Sequence, residues 1–220
     1  PYIANKQKLA QLLSTQQYLV LNSKRTHKWE ELFGIAIIEA MSQGVIPIAT
    51  NHSGPKEIIT EDIGYLTEEG EITLAISKLI DKGHNRFLIE KVVCQSKKEY
   101  DLLLKKFKKN KVKGWINFPR HYFPFYQKIL PFFQTQEPII LSVTGGDFGL
   151  TTNSIHFIDL FSWILKTSKI ELTTKYLHPK ILPNKRGALF KEFSGTILGK
   201  YKNSVLSISS FHNSNSPLLI

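Results

Sequence analysis

The chain has no apolar run long enough to cross a bilayer, only one cysteine, and no glycine-rich dinucleotide fingerprint after an early strand. A spanning helix needs about 20 apolar residues. The best candidates, 32–41 and 155–165, are shorter and carry Glu39 and Asp159, so no transmembrane segment is expected. Cys94 has no second thiol to pair with, which excludes an internal disulfide and fits a reducing, cytoplasmic setting. No basic and apolar leader opens the sequence, and it starts at Pro1 rather than Met, which predicts a fragment or a processed product. Long-period repeats and low-complexity tracts are also missing, which argues against a solenoid. No Cys/His spacing suits zinc, so no metal site is expected.

Charge is unevenly spread. Residues 1–90 hold 9 Lys/Arg against 11 Asp/Glu, whereas residues 91–220 hold 20 against 7. Lys105, Lys106, Lys108, Lys109, Lys111 and Lys113 could face a nucleic acid or an anionic membrane. Leu102, Leu103, Leu104 and Phe107 give the same segment an apolar side, as on the solvated helix of an ordinary domain. Without a helix-turn-helix pattern, nucleic-acid binding is disfavoured.

The first 82 residues alternate between strand-like and helical patterns: strand 18–21, helix 33–43, strand 45–50, helix 55–60, helix 72–81. Such alternation predicts a parallel sheet with helices on its faces, a truncated Rossmann-like βα unit. A further strand at 87–90 and a helix at 97–109 follow. The strand at 87–90 is expected to pair in parallel with 18–21 or 45–49, with 72–81 as the crossover helix and Leu74, Ile76, Leu79 and Ile80 facing inward. Beyond these come strand 112–118, a proline-rich aromatic stretch to Phe133, strand 139–144 and a helix near 150–165. Residues 195–201 and 204–211 alternate around Lys202-Asn203 and read as a hairpin. The second part is thus expected to be α+β with an open, mainly antiparallel sheet. The expected domains are 1–83 and 84–220.

Glu31 and Glu39 are separated by seven residues, and Glu39 sits in a helix that is apolar almost all round. Such a helix is normally buried, so Glu39 either lies on a narrow polar edge with Ala36 and Gln43 or points at a polar ligand. The Asn51–Glu57 segment joins a strand to a helix through Gly54, and Gly34 begins the preceding helix. Both helix starts would present backbone N–H groups at strand carboxyl ends, where a diphosphate fits.

Together Glu31-x-Phe33-Gly34-x4-Glu39-Ala40-Met41, Gly44-x-x-Pro47 and Ser53-Gly54-Pro55-x-Glu57 resemble the C-terminal, donor-binding half of retaining nucleotide-sugar glycosyltransferases with the GT-B fold. The resemblance covers about residues 5–82, and His27, Trp29 and Ser53-Gly54-Pro55 are most similar to mannosyltransferases of glycan assembly. It implies Glu31 at the donor sugar hydroxyls, Phe33, Gly34, Ser53 and Gly54 at the diphosphate, Glu39 at the ribose, and Glu57 within the donor site. The acceptor half of that family and its basic phosphate ligands have no counterpart here, and Lys24, Arg25 and Lys56 receive no role.

A second constellation follows. Lys91 ends a buried strand, Asn117–Pro124 holds Arg120, His121 and Tyr122 between Pro119 and Pro124, and Asn153, His156 and Asp159 share one helix. His156 and Asp159 lie three apart, a spacing at which the carboxylate could orient the imidazole, although a His on an apolar helix is often structural. Glu90-Lys91-Val92, Asn117–Pro124 and Gly145–Asp159 resemble the Glu-Lys-Pro motif, Asn-x-Arg-Arg-Tyr-x-Pro segment and histidine-bearing helix of Gfo/Idh/MocA sugar oxidoreductases. That resemblance, from about Arg86 onward, implies Lys91 and His156 as catalytic groups, with Arg120, Tyr122, Asn153 and Asp159 near the substrate. Val92, His121 and Thr152 depart from the family pattern. Thr144-Gly145-Gly146 has the wrong spacing and place for a dinucleotide loop.

The composition and both resemblances predict a composite of two incomplete carbohydrate-active enzymes. The leading reading is a glycosyltransferase-derived protein that binds a GDP- or UDP-sugar and is incomplete for hexosyl transfer. The alternatives are the substrate domain of an NAD(P)-dependent sugar or cyclitol oxidoreductase without its cofactor domain, and a non-catalytic fusion. No cofactor is expected on the chain alone; the expected partner is a nucleotide sugar or sugar, with self-association through the open sheet as a further expectation.

Overall fold

The computed structural model describes residues 6–25, 30–32, 34–91, 93–94, 96–133, 138–184 and 187–220. They fall into two compact units, one ending at Asn117 and the other running from Phe118 to Ile220.

In chain order the first unit contains α1 (Lys6–Ser14), β1 (Tyr18–Leu21), α2 (Ile35–Met41), β2 (Ile46–Thr50), α3 (Ser53–Ile58), β3 (Tyr65–Thr67), α4 (Ile72–Asp81), β4 (Arg86–Ile89), α5 (Lys97–Lys109) and β5 (Lys113–Ile116). Its five strands form one parallel sheet in the order β3-β2-β1-β4-β5. As the sequence predicts, the 86–89 strand pairs in parallel with β1, Tyr18 facing Phe87 and Val20 facing Ile89. The expected boundary at Gly83 marks where one resemblance gives way to the other. Strands β4 and β5 lie beyond it and are hydrogen-bonded into the first sheet.

Side-chain alternation gives the sheet two packed faces. Tyr18, Val20, Ile48, Phe87 and Ile89 pack with Ile72, Ile76, Leu79 and Ile80 of α4 and Leu103 of α5. Leu19, Ala49 and Leu88 pack on the other face with Leu13, Ile37, Ala40 and Ile59. Helix α4 departs from expectation at Leu74, which is 53% exposed because Ile72 supplies the inward position instead. Helix α2 departs further: only Ile37 and Ala40 are buried, while Ile35 and Ile38 are 64% and 54% exposed. The helix touches the sheet on one side alone, so apolar composition all round does not make it a buried helix.

Helix α5 shows why the lysine run forms a helix face. Ser96 caps its start by accepting from Glu99 N at 3.2 Å, and Lys106, Lys108 and Lys109 occupy its last turn, where the helix dipole favours cations. Leu103 is buried, and Lys106 reaches Asp81 at 2.6 Å and Ser77 at 2.5 Å.

The second unit opens with a 3-10 turn at Pro119–Tyr122, α6 (Pro124–Ile129) and another 3-10 turn at Leu130–Phe133. It continues through β6 (Ile140–Gly146), α7 (Leu150–Ile164), β7 (Glu171–Leu177), β8 (Leu182–Asn184), β9 (Gly187–Glu192), β10 (Gly195–Tyr201) and β11 (Ser204–Phe211). Strands β6-β11-β10-β7 make an open sheet, antiparallel except for the β6–β11 pair, and β8 and β9 form a separate ribbon. The β10–β11 hairpin has the predicted bounds, with Tyr201 facing Ser204. Phe157, Leu160, Phe161 and Ile164 of α7 cover one face of the sheet together with Val143, Leu206 and Ile208. Burying such a side chain stabilises the fold by about 1.5–3 kcal/mol. Glu192 caps α7: its Oε1 accepts from Thr151 N at 2.8 Å.

Candidate functional site

The topology of the first unit selects the place where a ligand would bind. Helices α2 and α3 carry the chain from β1 through β2 to β3 on one face, and α4 and α5 serve β4 and β5 on the other. Neighbouring strands β1 and β4 therefore send their following segments in opposite directions, and an open α/β sheet has its crevice at the carboxyl ends of such a pair. Asn22 leaves β1 there, and Glu90 and Lys91 leave β4.

Glu31 ties two of the loops together. Its Oε1 accepts from Gly34 N at 3.2 Å, and its backbone carbonyl accepts from Gly54 N at 3.0 Å. Gly34 caps α2 in a left-handed conformation, with φ 57°, which suits glycine. The two glycine amides expected at a diphosphate are thus both engaged by Glu31. Ser53 Oγ donates to Glu30 Oε1 at 2.6 Å, and Arg25 lies 2.7 Å from Glu30 Oε2. The Glu30 carboxyl is held below the usual carboxylate range, first by the Ser53 hydroxyl and then, against desolvation, by Arg25. Glu39 is partly exposed on α2, as are Ala36 and Gln43, and Glu57 is exposed on α3. Phe33 lies outside the described residues, as do His27, Trp29 and Val92.

Residues that the motifs did not single out complete this edge. His52, only 2% exposed, places Nε2 2.9 Å from Glu69 Oε1, which also accepts from Arg25 N at 2.5 Å. Asn51 donates to Glu68 at 2.9 Å. Asn22 Oδ1, Thr50 Oγ1, Asn51 Oδ1, His52 Nδ1 and Thr67 Oγ1 are buried without a hydrogen-bond partner among the described residues. All five stand at the carboxyl ends of β1, β2 and β3. The sequence signal was simply polar residues following apolar strands.

Glu90 is largely withdrawn from solvent and accepts from Asn117 Nδ2. Burial pushes its carboxyl above the usual carboxylate range; Asn117 and Lys91 oppose this, and the charge of Glu31 adds to it.

The second unit gathers its own set. His121 Nε2 lies 2.6 Å from Asp159 Oδ2, and its ring stacks on Trp163 with centroids 4.9 Å apart. The 3-10 turn lays His121 over α7, so that His121 joins Asp159 on this helix. His156 meets Phe118 edge-on at 5.7 Å. Arg120 sits 4.4 Å over the Phe157 ring, and Asn153 donates to the Phe148 carbonyl at 2.5 Å. Tyr122 is placed by its backbone within the 3-10 turn. Lys91 belongs to the first unit and His156 to the second.

The Thr144-Gly145-Gly146 segment does not fit a dinucleotide. Gly146 N donates to Ser216 O at 3.0 Å, and a Cβ there would overlap the Ser214 carbonyl, so the chain's own tail fills the space beside these glycines. Among the described residues no group of three or more His, Cys, Asp or Glu could hold a metal ion, and no helix is long and apolar enough to cross a membrane.

The first part of the chain is glycosyltransferase-like: residues 2–99 match the family model for glycosyl transferases group 1. A 40-residue stretch is 52% identical to the GDP-Man:Man(3)GlcNAc(2)-PP-Dol alpha-1,2-mannosyltransferase of Dictyostelium discoideum. That stretch is 17% of this chain and spans only 8% of the relative's length.

The fold is similar to that of several solved dehydrogenases. The WlbA (WbpB) dehydrogenase from Thermus thermophilus, solved with NAD and alpha-ketoglutarate, matches with TM-score 0.53 and 12% identity over 92% of this chain and 74% of that one. GenD2 from gentamicin A biosynthesis, solved with NAD, gives 0.55 and 13% over 99% and 66%. The MviM dehydrogenase from Clostridium difficile gives 0.50 and 12% over 92% and 73%. At such identities the likeness concerns the fold alone.

Proposed function

We propose that the first unit binds a nucleoside diphosphate sugar at the carboxyl edge of its sheet, the donor-binding role of group 1 glycosyl transferases. One observation supports the reading: Glu31 bonds both Gly34, at the start of α2, and Gly54, after β2, bringing these three motif residues together. The family match over residues 2–99 and the identity with a GDP-Man mannosyltransferase make GDP-mannose the first ligand to test. Glu31, Gly34, Glu39, Ser53 and Gly54 form the binding set, with Phe33 and Glu57 carried by resemblance. Because the Gly34 amide is engaged by the Glu31 carboxylate and the Gly54 amide by the Glu31 backbone carbonyl, binding requires the ligand to displace these contacts or to approach through side chains. Calorimetric titration with GDP-mannose and UDP-glucose tests the proposal, and Glu39→Ala should weaken binding by about 1–3 kcal/mol. A folded sample that gives no heat with either nucleotide sugar refutes it.

A second reading applies to the second unit and is supported by the likeness of the chain's fold to that of solved dehydrogenases. It is a sugar-oxidoreductase substrate domain whose hydride chemistry, if present, depends on a nicotinamide dinucleotide bound elsewhere. Without a fitting dinucleotide loop, no hydride step is assigned to this chain.

A further inference from the structure

Glu90 lies outside the glycosyltransferase-like motifs, yet it sits at the crevice between β1 and β4. Leu19, Ala49 and Leu88 pack with Ile37 and Ala40 of α2, and Leu21 lies against the same cluster. Glu90 is two residues beyond Leu88, so strand alternation sets it on the α2 face, the face on which the Glu31 loop leads into its helix. Glu90 N donates to Val20 O at 2.9 Å, which holds it beside the end of β1. Ile89 pairs with Ile116, so Asn117 is the next residue across, and its amide donates to the Glu90 carboxylate.

The geometry points to Glu90, positioned by Asn117, as a second carboxyl wall of the donor crevice that reads the hydroxyl groups of the hexose while leaving the nucleoside diphosphate to other residues. The assignment rests on the nucleotide-sugar reading of this edge. Several properties fit hydroxyl recognition better than phosphate recognition. The charge of Glu31 acts on the Glu90 carboxyl, as the last of several influences that shift it. A second negative charge there would repel a diphosphate, whereas a carboxyl accepts readily from neutral hydroxyls. The carboxyl is already partly desolvated and fixed by an amide, so little ordering remains when a sugar arrives. A site built to meet hydroxyl groups also discriminates strongly against ligands that lack them.

The test titrates the full chain with GDP and with GDP-mannose, in wild type, Glu90→Ala, Glu90→Gln and Asn117→Ala, with circular dichroism confirming folding. GDP-mannose affinity should fall about tenfold or more in Glu90→Ala and less in Glu90→Gln, which keeps one acceptor, while GDP affinity stays unchanged. Asn117→Ala should show the same selective loss at smaller size. Equal GDP-mannose affinity in wild type and Glu90→Ala overturns the Glu90 assignment alone, as does an equal loss for both ligands. If wild type binds neither ligand, the nucleotide-sugar reading falls and the Glu90 assignment with it.

Discussion

Thr50 offers a direct measure of how far the carboxyl edge is shaped for something other than stability. It ends β2, an interior strand of the sheet, is 0% exposed, and its hydroxyl has no partner among the described residues. Its Cα partner on β3 is Thr67, whose hydroxyl is in the same state, and Asn22 lies one residue beyond the Leu21–Ala49 pair in the same row. A buried hydroxyl without a partner costs about 1–3 kcal/mol, and valine replaces it with a methyl group of the same shape. Thr50→Val should therefore stabilise the first unit by about 1 kcal/mol or more, since valine also suits a central strand. For a unit of this size that is a rise of roughly 4 °C in Tm. Differential scanning calorimetry of the unliganded chain reads it. A lower or unchanged Tm would refute the reasoning by showing that the hydroxyl is satisfied in the folded protein.

Gly146→Ala should destabilise the second unit by about 1–3 kcal/mol, because the added carbon overlaps the Ser214 carbonyl; a urea midpoint checks it. Phe157→Ala, at a fully buried position beneath Arg120, should cost about 3–5 kcal/mol, and Phe157→Leu much less, by the same assay. Glu90→Gln should exceed wild type in stability at neutral pH. A carboxyl whose pKa is raised by burial stabilises the fold only while protonated and loses that contribution as pH rises through its folded value. The advantage should disappear below the ordinary glutamate range, as denaturation curves taken across acid pH would show. Purified chain should not reduce NAD or NADP with inositol or common hexoses, and robust reduction abolished by His156→Ala would contradict this.

Several elements were legible from local chemistry. The 18–21 strand, the 97–109 helix and the 195–211 hairpin carry their own periodicity and stops, and they form where those signals put them. Short β3 and the α1 helix gave no such signal and were missed. Three residues cannot display a period, and α1 has no acidic first turn or basic last turn. Exposure of Ile35 and Ile38 was also illegible, since composition reports how apolar a helix is and not how many neighbours cover it.

The sequence by itself determined the two resemblances, the parallel character of the first part and the identity of Glu31, Gly34 and Gly54 as a group, because these depend on residue types at fixed spacing. Tertiary structure decided which groups meet. Placing β4 beside β1 put Glu90 at the end of β1, where the charge of Glu31 acts on it across some sixty residues of chain, a separation no motif spans. The same kind of decision brought His121 to Asp159. The 3-10 turn at Pro119–Tyr122 delivers an imidazole from another part of the chain and fixes it on Trp163, which no helical spacing announces. Hydrogen bonds and ion pairs form between the groups that packing brings within reach, and packing is a property of the assembled sheets and helices.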